Sequence, residues 1–209
     1  MALLILDFDG VVLESVGVKT EAFVALFPGS MREVVLACHR ETPGFGRVKK
    51  IECMFRAVFG RTPSSLEMES LLAKFAENSL SGVLRCPEVP GLRYFLENLS
   101  GASVHIVSAA PEDEVRLVAE KRNFAGFFQS ISGMPIKKDI HLACLLEENP
   151  ERPALYIGDR TSDLKAATAV GIAFLGRVAE GEENPFPSET PVIADFISGR
   201  VVVETMLIA

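Results

Sequence analysis

Two aspartates stand two residues apart in Asp7-Phe8-Asp9-Gly10, directly behind the apolar run Leu3-Leu4-Ile5-Leu6. A second acidic group, Gly158-Asp159-Arg160-Thr161-Ser162-Asp163, follows Leu155-Tyr156-Ile157, and a hydroxyl, Ser108, follows Val104-His105-Ile106-Val107. Continuous apolar runs that end on a small or acidic residue read as strands covered on both faces of a parallel sheet. In an open α/β sheet ligands bind outside the carboxyl ends of the strands, so these carboxylates and the Ser108 hydroxyl are expected at one edge. The strand spacing of Asp7 and Asp9 puts both side chains on one face, with Gly10 marking the turn that follows. Hard oxygen donors with little nitrogen or sulfur suit Mg²⁺, which keeps several waters and favours phosphate substrates.

The elements that must position these groups alternate. Helical patterns over residues 91–99, 112–122, 139–147 and 162–170 separate the strands, a further strand is expected over 172–175, and 191–196 reads as an edge strand. Such alternation indicates an α/β fold, a Rossmann-like, doubly wound parallel sheet. The chain between Glu14 and Pro90 is several times the dozen or so residues that a βαβ crossover requires. An inserted module is expected there, with helices over 19–27, 30–40, 47–59 and 63–80, the last opening at Pro63-Ser64-Ser65. Turns are expected at Phe27-Pro28-Gly29, Thr42-Pro43-Gly44 and Gly60-Arg61-Thr62-Pro63. The division predicted is an α/β core of residues 1–14 and 86–209 and a helical insert of residues 15–85.

The run Leu6-Asp7-Phe8-Asp9-Gly10-Val11-Val12-Leu13-Glu14-Ser15 resembles the opening motif of the haloacid dehalogenase superfamily, in the phosphatase branch related to phosphoglycolate phosphatase and β-phosphoglucomutase. Ser108 after a strand, a lysine at Lys137 or Lys138, and Gly158-Asp159 with Asp163 four residues on follow in the order of that family's motifs. The resemblance covers almost the whole chain and implies a phosphatase of small phosphorylated metabolites with the insert as its cap domain. Asp7 then resembles the nucleophile that forms an aspartyl-phosphate, and Asp9 the acid that protonates the leaving oxygen and later takes a proton from water. A carboxylate is a poor nucleophile toward a phosphate dianion unless a cation offsets the repulsion, which implies Mg²⁺ held by Asp7, the Asp9 carbonyl and Asp159, with Asp163 acting through water or by orienting that shell. Ser108, the Ala109 amide and the lysine would hold the phosphoryl oxygens. Lys138 is favoured because it stands immediately before the apolar pattern Ile140, Leu142, Leu145, Leu146, and Lys137 is the alternative.

Two departures from the family pattern stand out. Glu14 occupies a position where relatives often have Asp, a change expected to lie outside the chemical shell, and no Pro-x-Pro follows the lysine. In the insert, His39, Arg40, Gly44, Gly46 and Arg47 read as a basic, glycine-bearing break between two helices, with His39 and Arg47 as candidate substrate contacts. A module of this kind is expected to move as a lid, flexing near residues 14–17 and 82–90. Three other readings remain: a phosphomutase using the same aspartyl-phosphate, a receiver-like phospho-acceptor, and a catalytically silent binding module.

Composition limits the rest. With 209 residues, 48% of them hydrophobic and 23% charged, the chain can bury a large core. Its 21 Lys and Arg against 28 Asp and Glu leave a net charge of −7, the wrong field for neutralising a nucleic-acid backbone. Asp7 and Asp9 follow the first apolar run with no basic segment before it, so a secretory signal is not expected, and no stretch has the roughly 20 apolar residues of a membrane helix. Cys38, Cys53, Cys86 and Cys144 lie far apart and read as buried thiols of a reducing cytoplasm. His105 reads as a core histidine and His141 as a surface one. Monomer and homodimer are both open.

Overall fold

The computed structural model describes residues 1–42, 45–150 and 152–208, and the predicted turn at Pro43 and Gly44 lies outside them. The described chain divides into two compact units, Met1–Glu14 with Pro87–Ala209, and Ser15–Cys86.

The first unit is built on six strands: β1 (Ala2–Leu6), β2 (Ala102–Pro111), β3 (Ser130–Met134), β4 (Ala154–Gly158), β5 (Ala173–Arg177) and β6 (Val192–Ile193). They form one parallel sheet in the order β3-β2-β1-β4-β5-β6. The centre of the sheet is therefore the first strand of the chain. Leu6 is aligned with Ile106 on one side and Ile157 on the other, so Asp7 and Asp159 leave the sheet side by side, next to Ser108 of β2. Burial explains why these strands are legible: Leu3, Leu4, Ile5 and Leu6 are fully covered, as are Leu155, Tyr156 and Ile157.

Helices of this unit are Leu92–Asn98, Glu112–Lys121, Lys138–Glu148, Thr161–Val170 and Arg200–Ile208. One cluster of the core packs Leu142 and Leu145 together with Ala166 and Ala167 against Leu3, Ile5, Val107 and Tyr156. Two elements are not expected from the sequence, and one strand runs longer than expected. Strand β3 carries no clear strand signal, because it has a neighbour on one side only and alternates in burial, Ile131 and Gly133 inward and Ser130 and Ser132 half-buried. Strand β2 continues past Ser108 to Pro111 through a shift in register between Val107 and Pro111. The C-terminal helix is masked in the sequence by the β-branched run Val201-Val202-Val203, yet Val203 and Leu207, four apart, are both buried.

The second unit is helical: α1 (Val16–Val24), α2 (Arg32–Glu41), α3 (Arg47–Phe59) and α4 (Ser65–Val83). Helix α1 ends earlier than its apolar pattern predicts because the chain tightens, with Leu26 N bonding Phe23 O and Phe27 N bonding Val24 O, three residues back. Gly60, in the left-handed conformation at φ 70°, stops α3. Ser64 then caps α4: its hydroxyl accepts from Glu67 N, while the Glu67 carboxylate accepts from Ser64 N. Phe23, Phe27, Val35, Ile51, Met54, Phe55 and Phe75 form the core of this unit.

Among the described residues no single helix is long and apolar enough to cross a membrane. Residues 16–24 and 29–41 reach that composition only when added across a 120° bend, and Phe23 and Val35 from them are buried in the unit's own core.

Candidate active site

Strand β1 delivers Asp7 into a tight turn. Its Oδ1 accepts from the Phe8 amide at 2.7 Å, and the Val12 and Leu13 amides fold back onto the Phe8 carbonyl at 2.9 and 3.2 Å. Gly10 has φ 79°, and a Cβ there would lie 2.5 Å from Asp159 Oδ2, so the turn and the close approach both require glycine. Asp7 is buried and Asp9 half-buried.

The helix behind β4 begins with its own constraint. Asp163 is fully buried; its Oδ2 accepts from Arg160 N at 3.0 Å, and its Oδ1 accepts from Lys138 Nζ at 2.6 Å and Tyr156 Oη at 3.0 Å. Lys138 Nζ also lies 2.9 Å from Asp7 Oδ2, with 11% of the lysine side chain exposed. The structure thus brings Lys138, the first residue of its helix, between two carboxylates, while Lys137 is an exposed cap residue. Asp7, Asp159 and Asp163 can each offer one oxygen, all within 4.8 Å of one another. That oxygen-only set fits a hard divalent ion. Asp9 is not one of the three, although its charge is felt at Asp7.

Crowding shows in the acidities. Burial pushes the Asp7 carboxyl up to about 6; Lys138 pulls it down, and Asp163 and Asp9 push it further up. Burial also pushes Asp159 up to about 8, helped by Asp7 and opposed by Arg160, whose Nε lies 3.1 Å from Asp159 Oδ2. Burial works against the Lys138 ammonium, but Asp7, Tyr156 and Asp163 around it outweigh that and hold its pKa well above the usual lysine value, so the cation is kept. The cluster thus gathers three carboxylates around Lys138, the cation that lies between Asp7 and Asp163.

Ser108 is buried at the β2 edge, where its Oγ accepts from Ala110 N at 3.1 Å, and Ala109 between them is exposed. In the helical unit His39 and Arg40 lie on the last turn of α2, and Arg47 is the first residue of α3; the expected loop is a helix end followed by a helix start. His39 Nδ1 is 3.4 Å from Lys50 Nζ and its Nε2 3.4 Å from Thr20 Oγ1, with the ring 5.4 Å from that of Phe23. Arg47 lies over the Phe75 ring at 5.3 Å. Gly44 lies outside the described residues.

Two groups escaped the sequence reading. Tyr156 sits inside an apolar strand, and only the need of a buried hydroxyl for a partner marked it; its Oη reaches Asp163 Oδ1 and the Val107 carbonyl at 3.2 Å. Glu14, expected to be of little consequence, accepts from both Nη atoms of the buried Arg177 at 2.8 and 2.5 Å. Nothing local could link two residues 163 positions apart. His105 is a core histidine between Ser103 Oγ at 3.0 Å and Ser130 Oγ at 2.8 Å. His141 is not a free surface group: its Nε2 donates to the Gly133 carbonyl at 2.9 Å. Of the cysteines only Cys86 is buried, Cys144 is exposed, and all four are free thiols.

The model of the family described as haloacid dehalogenase-like hydrolase matches residues 4–177. No curated protein matches the sequence. Among solved structures, a protein named as a predicted phosphoglycolate phosphatase from Haemophilus somnus superposes with a TM-score of 0.78 at 17% identity, covering 98% of each chain. A candidate β-phosphoglucomutase from Thermotoga maritima gives 0.73 at 16% identity, over 98% of this chain and 99% of that one. A magnesium-bound haloacid dehalogenase-type hydrolase from Bacillus subtilis gives 0.73 at 15%, over 97% and 98%. At these identities the superpositions show a shared fold.

Proposed function

We propose that this chain, which belongs to the haloacid dehalogenase-like hydrolase family, is a cytoplasmic, Mg²⁺-dependent phosphatase of small phosphorylated metabolites, of the sugar-phosphate or sugar-acid-phosphate class. One observation carries the reading: Lys138 Nζ stands 2.9 Å from Asp7 and 2.6 Å from Asp163, beside three carboxylates gathered within 4.8 Å. A nucleophile, a fixed cation and an ion site in one place are what transfer of a phosphoryl group to a carboxylate needs.

Asp7, the Asp9 carbonyl and Asp159 would hold Mg²⁺, which when bound offsets the repulsion between carboxylate and phosphate. An Asp7 oxygen attacks phosphorus in line, the O–P bond to Asp7 forms as the ester P–O bond breaks, and Asp9 gives its proton to the leaving oxygen. Lys138 uses two N–H groups on Asp7 and Asp163 and has a third for a phosphoryl oxygen. Ser108 Oγ and the exposed Ala109 amide would hold the others. Asp9, now a carboxylate, takes a proton from water as that water attacks the aspartyl-phosphate, freeing inorganic phosphate and restoring Asp7.

Residues 1–14 and 86–209 act in this reading as the catalytic core, and residues 15–85 as the cap whose His39 and Arg47 select the leaving group. The Thermotoga maritima neighbour supports one alternative, a phosphomutase that returns the phosphoryl group to a sugar hydroxyl. Incubating the purified protein with Mg²⁺ and a panel of phosphorylated sugars, sugar acids and nucleotides tests both. Inorganic phosphate should appear with Mg²⁺ and not with chelator. Isomerised sugar phosphate without free phosphate would favour the mutase, and neither product from any member would reject the phosphoryl-transfer reading.

A further inference from the structure

Arg177 closes β5, two strands away from β1, yet among the described residues three of the four hydrogen bonds of its side chain reach the turn that follows β1. Its Nε donates to the Ala194 carbonyl at 2.9 Å, Nη1 to the Gly10 carbonyl at 3.2 Å and to Glu14 Oε2 at 2.8 Å, and Nη2 to Glu14 Oε1 at 2.5 Å. The side chain is 6% exposed. A guanidinium buried this far is stable only with its fork satisfied, and here one carboxylate and two carbonyls do that.

The turn it grips is the one that chemistry would need held. Gly10 is packed against Asp159 so closely that a Cβ would stand 2.5 Å from the carboxylate oxygen. Its carbonyl follows that of Asp9 by one residue, so a shift at Gly10 moves Asp9 and presses on Asp159. The far end of the turn is tied as well: Glu14 N donates to Pro87 O at 2.9 Å, Val89 N to Val12 O at 3.1 Å, and Leu13 bridges to Glu88. Backbone bonds therefore fix the stretch at β1 and again at residues 12–14. Between those anchors, the Arg177 side chain binds the Gly10 carbonyl of the turn from outside it.

We infer that Arg177, paired with Glu14, is a positioning residue that fixes the Asp9-Gly10 turn relative to Asp7 and Asp159. The pair is matched in length: an Asp at position 14 would draw the carboxylate back by about 1.5 Å, one carbon–carbon bond, and break the two-pronged contact. The kinetic side of this inference rests on the phosphatase reading; the structural side does not.

Two measurements separate them. Amide exchange of residues 8–14 in the metal-free protein, read by NMR or mass spectrometry, reports the turn itself. Steady-state hydrolysis of p-nitrophenyl phosphate with Mg²⁺, at a temperature where each variant is fully folded, reports catalysis. In Arg177→Met the Gly10 to Leu13 amides should exchange about tenfold faster while the strands keep their protection. Its kcat should fall about 100-fold with KM changed less than about threefold, since displacement of a reacting group by about 1 Å costs that much. Glu14→Asp should show the same pattern more weakly, and Arg177→Lys should recover part of both losses. A purely structural pair would lower the melting temperature and leave kcat alone. Unchanged exchange in residues 8–14, or a kcat within twofold of the parent in folded Arg177→Met, overturns the inference; if that variant does not fold, the same two readings on Glu14→Asp and Arg177→Lys decide it. Should the parent protein itself release no phosphate, the phosphatase reading falls and the exchange result alone decides the role of Arg177.

Discussion

Lys138 in the α/β unit stands between two carboxylates at 2.6 and 2.9 Å, whereas in the helical unit Arg47 and Lys50 lie over the rings of Phe75 and Phe23 at 5.3 and 5.8 Å. The first is a cation held by short, directional, charge-assisted bonds in a buried place, where a small displacement is costly. The others rest partly on cation–π attraction, which depends weakly on angle and is worth about 0.5–1 kcal/mol at exposed sites. Buried directional contacts suit a step that tolerates no misplacement. Looser contacts on helices suit recognition of groups that vary from one metabolite to the next.

The contrast is sharpest at Asp7, the proposed nucleophile. Asp7→Asn preserves shape and the Phe8 contact but removes the attacking charge, so phosphate release should fall by at least about 10³-fold and no phosphoenzyme should be trapped. Turnover like that of the parent would move the nucleophile elsewhere. Lys138→Met removes the cation between Asp7 and Asp163 while keeping the stem, and kcat should fall about 10²- to 10³-fold, the scale of losing one donor aimed at developing charge. Lys137→Met, the identical change at the exposed neighbour, should leave kcat within about twofold.

Acidity offers a test without substrate. Asp7 and Asp159 have folded-state values raised to about 6 and about 8 in the metal-free protein. A raised carboxyl binds its proton more tightly in the folded chain than in the unfolded one. The stability that proton contributes is present below about pH 4 and is lost as pH rises through 6 for Asp7 and through 8 for Asp159. Melting temperatures of metal-free protein should therefore fall between pH 5 and pH 8.5, by about 5 °C or more, and added Mg²⁺ should raise them most at the upper end. A melting temperature flat across that window, with or without Mg²⁺, would contradict the crowding of these carboxylates.

Smaller effects come from residues that act through others. Tyr156→Phe deletes one of the two donors on Asp163 Oδ1 and leaves Lys138 in place, so kcat should drop about tenfold with KM unchanged. The smallest change should come from the helical unit. Arg47→Ala should raise KM about five- to tenfold for a sugar-acid phosphate, a single charged contact, and leave that for p-nitrophenyl phosphate within about twofold. Equal losses on both substrates, or none, would make Arg47 a packing residue over Phe75 and erase the distinction between the two regions.

The sequence by itself determined the chemistry class and the fold class. Both rest on short-range patterns: an apolar run that ends in Asp7-x-Asp9, another that ends in Gly158-Asp159, and helical periods between them. An insert too long for a crossover was likewise plain from chain length. What only the tertiary structure decided is which groups meet. Lys138 and Lys137 are adjacent and chemically identical, and the start of one helix turns the first toward Asp7 and Asp163 and leaves the second in solvent. Strand β3 stayed unread because an edge position removes the two-sided burial that makes a strand continuously apolar. Tyr156 became a partner of Asp163, and Glu14 of Arg177, because the order β3-β2-β1-β4-β5-β6 brings the ends of distant segments together. Such partnerships span up to 163 residues, and no local pattern carries them: periodicity records which face of an element is covered, while the identity of what covers it is set by the crossing of strands in the sheet.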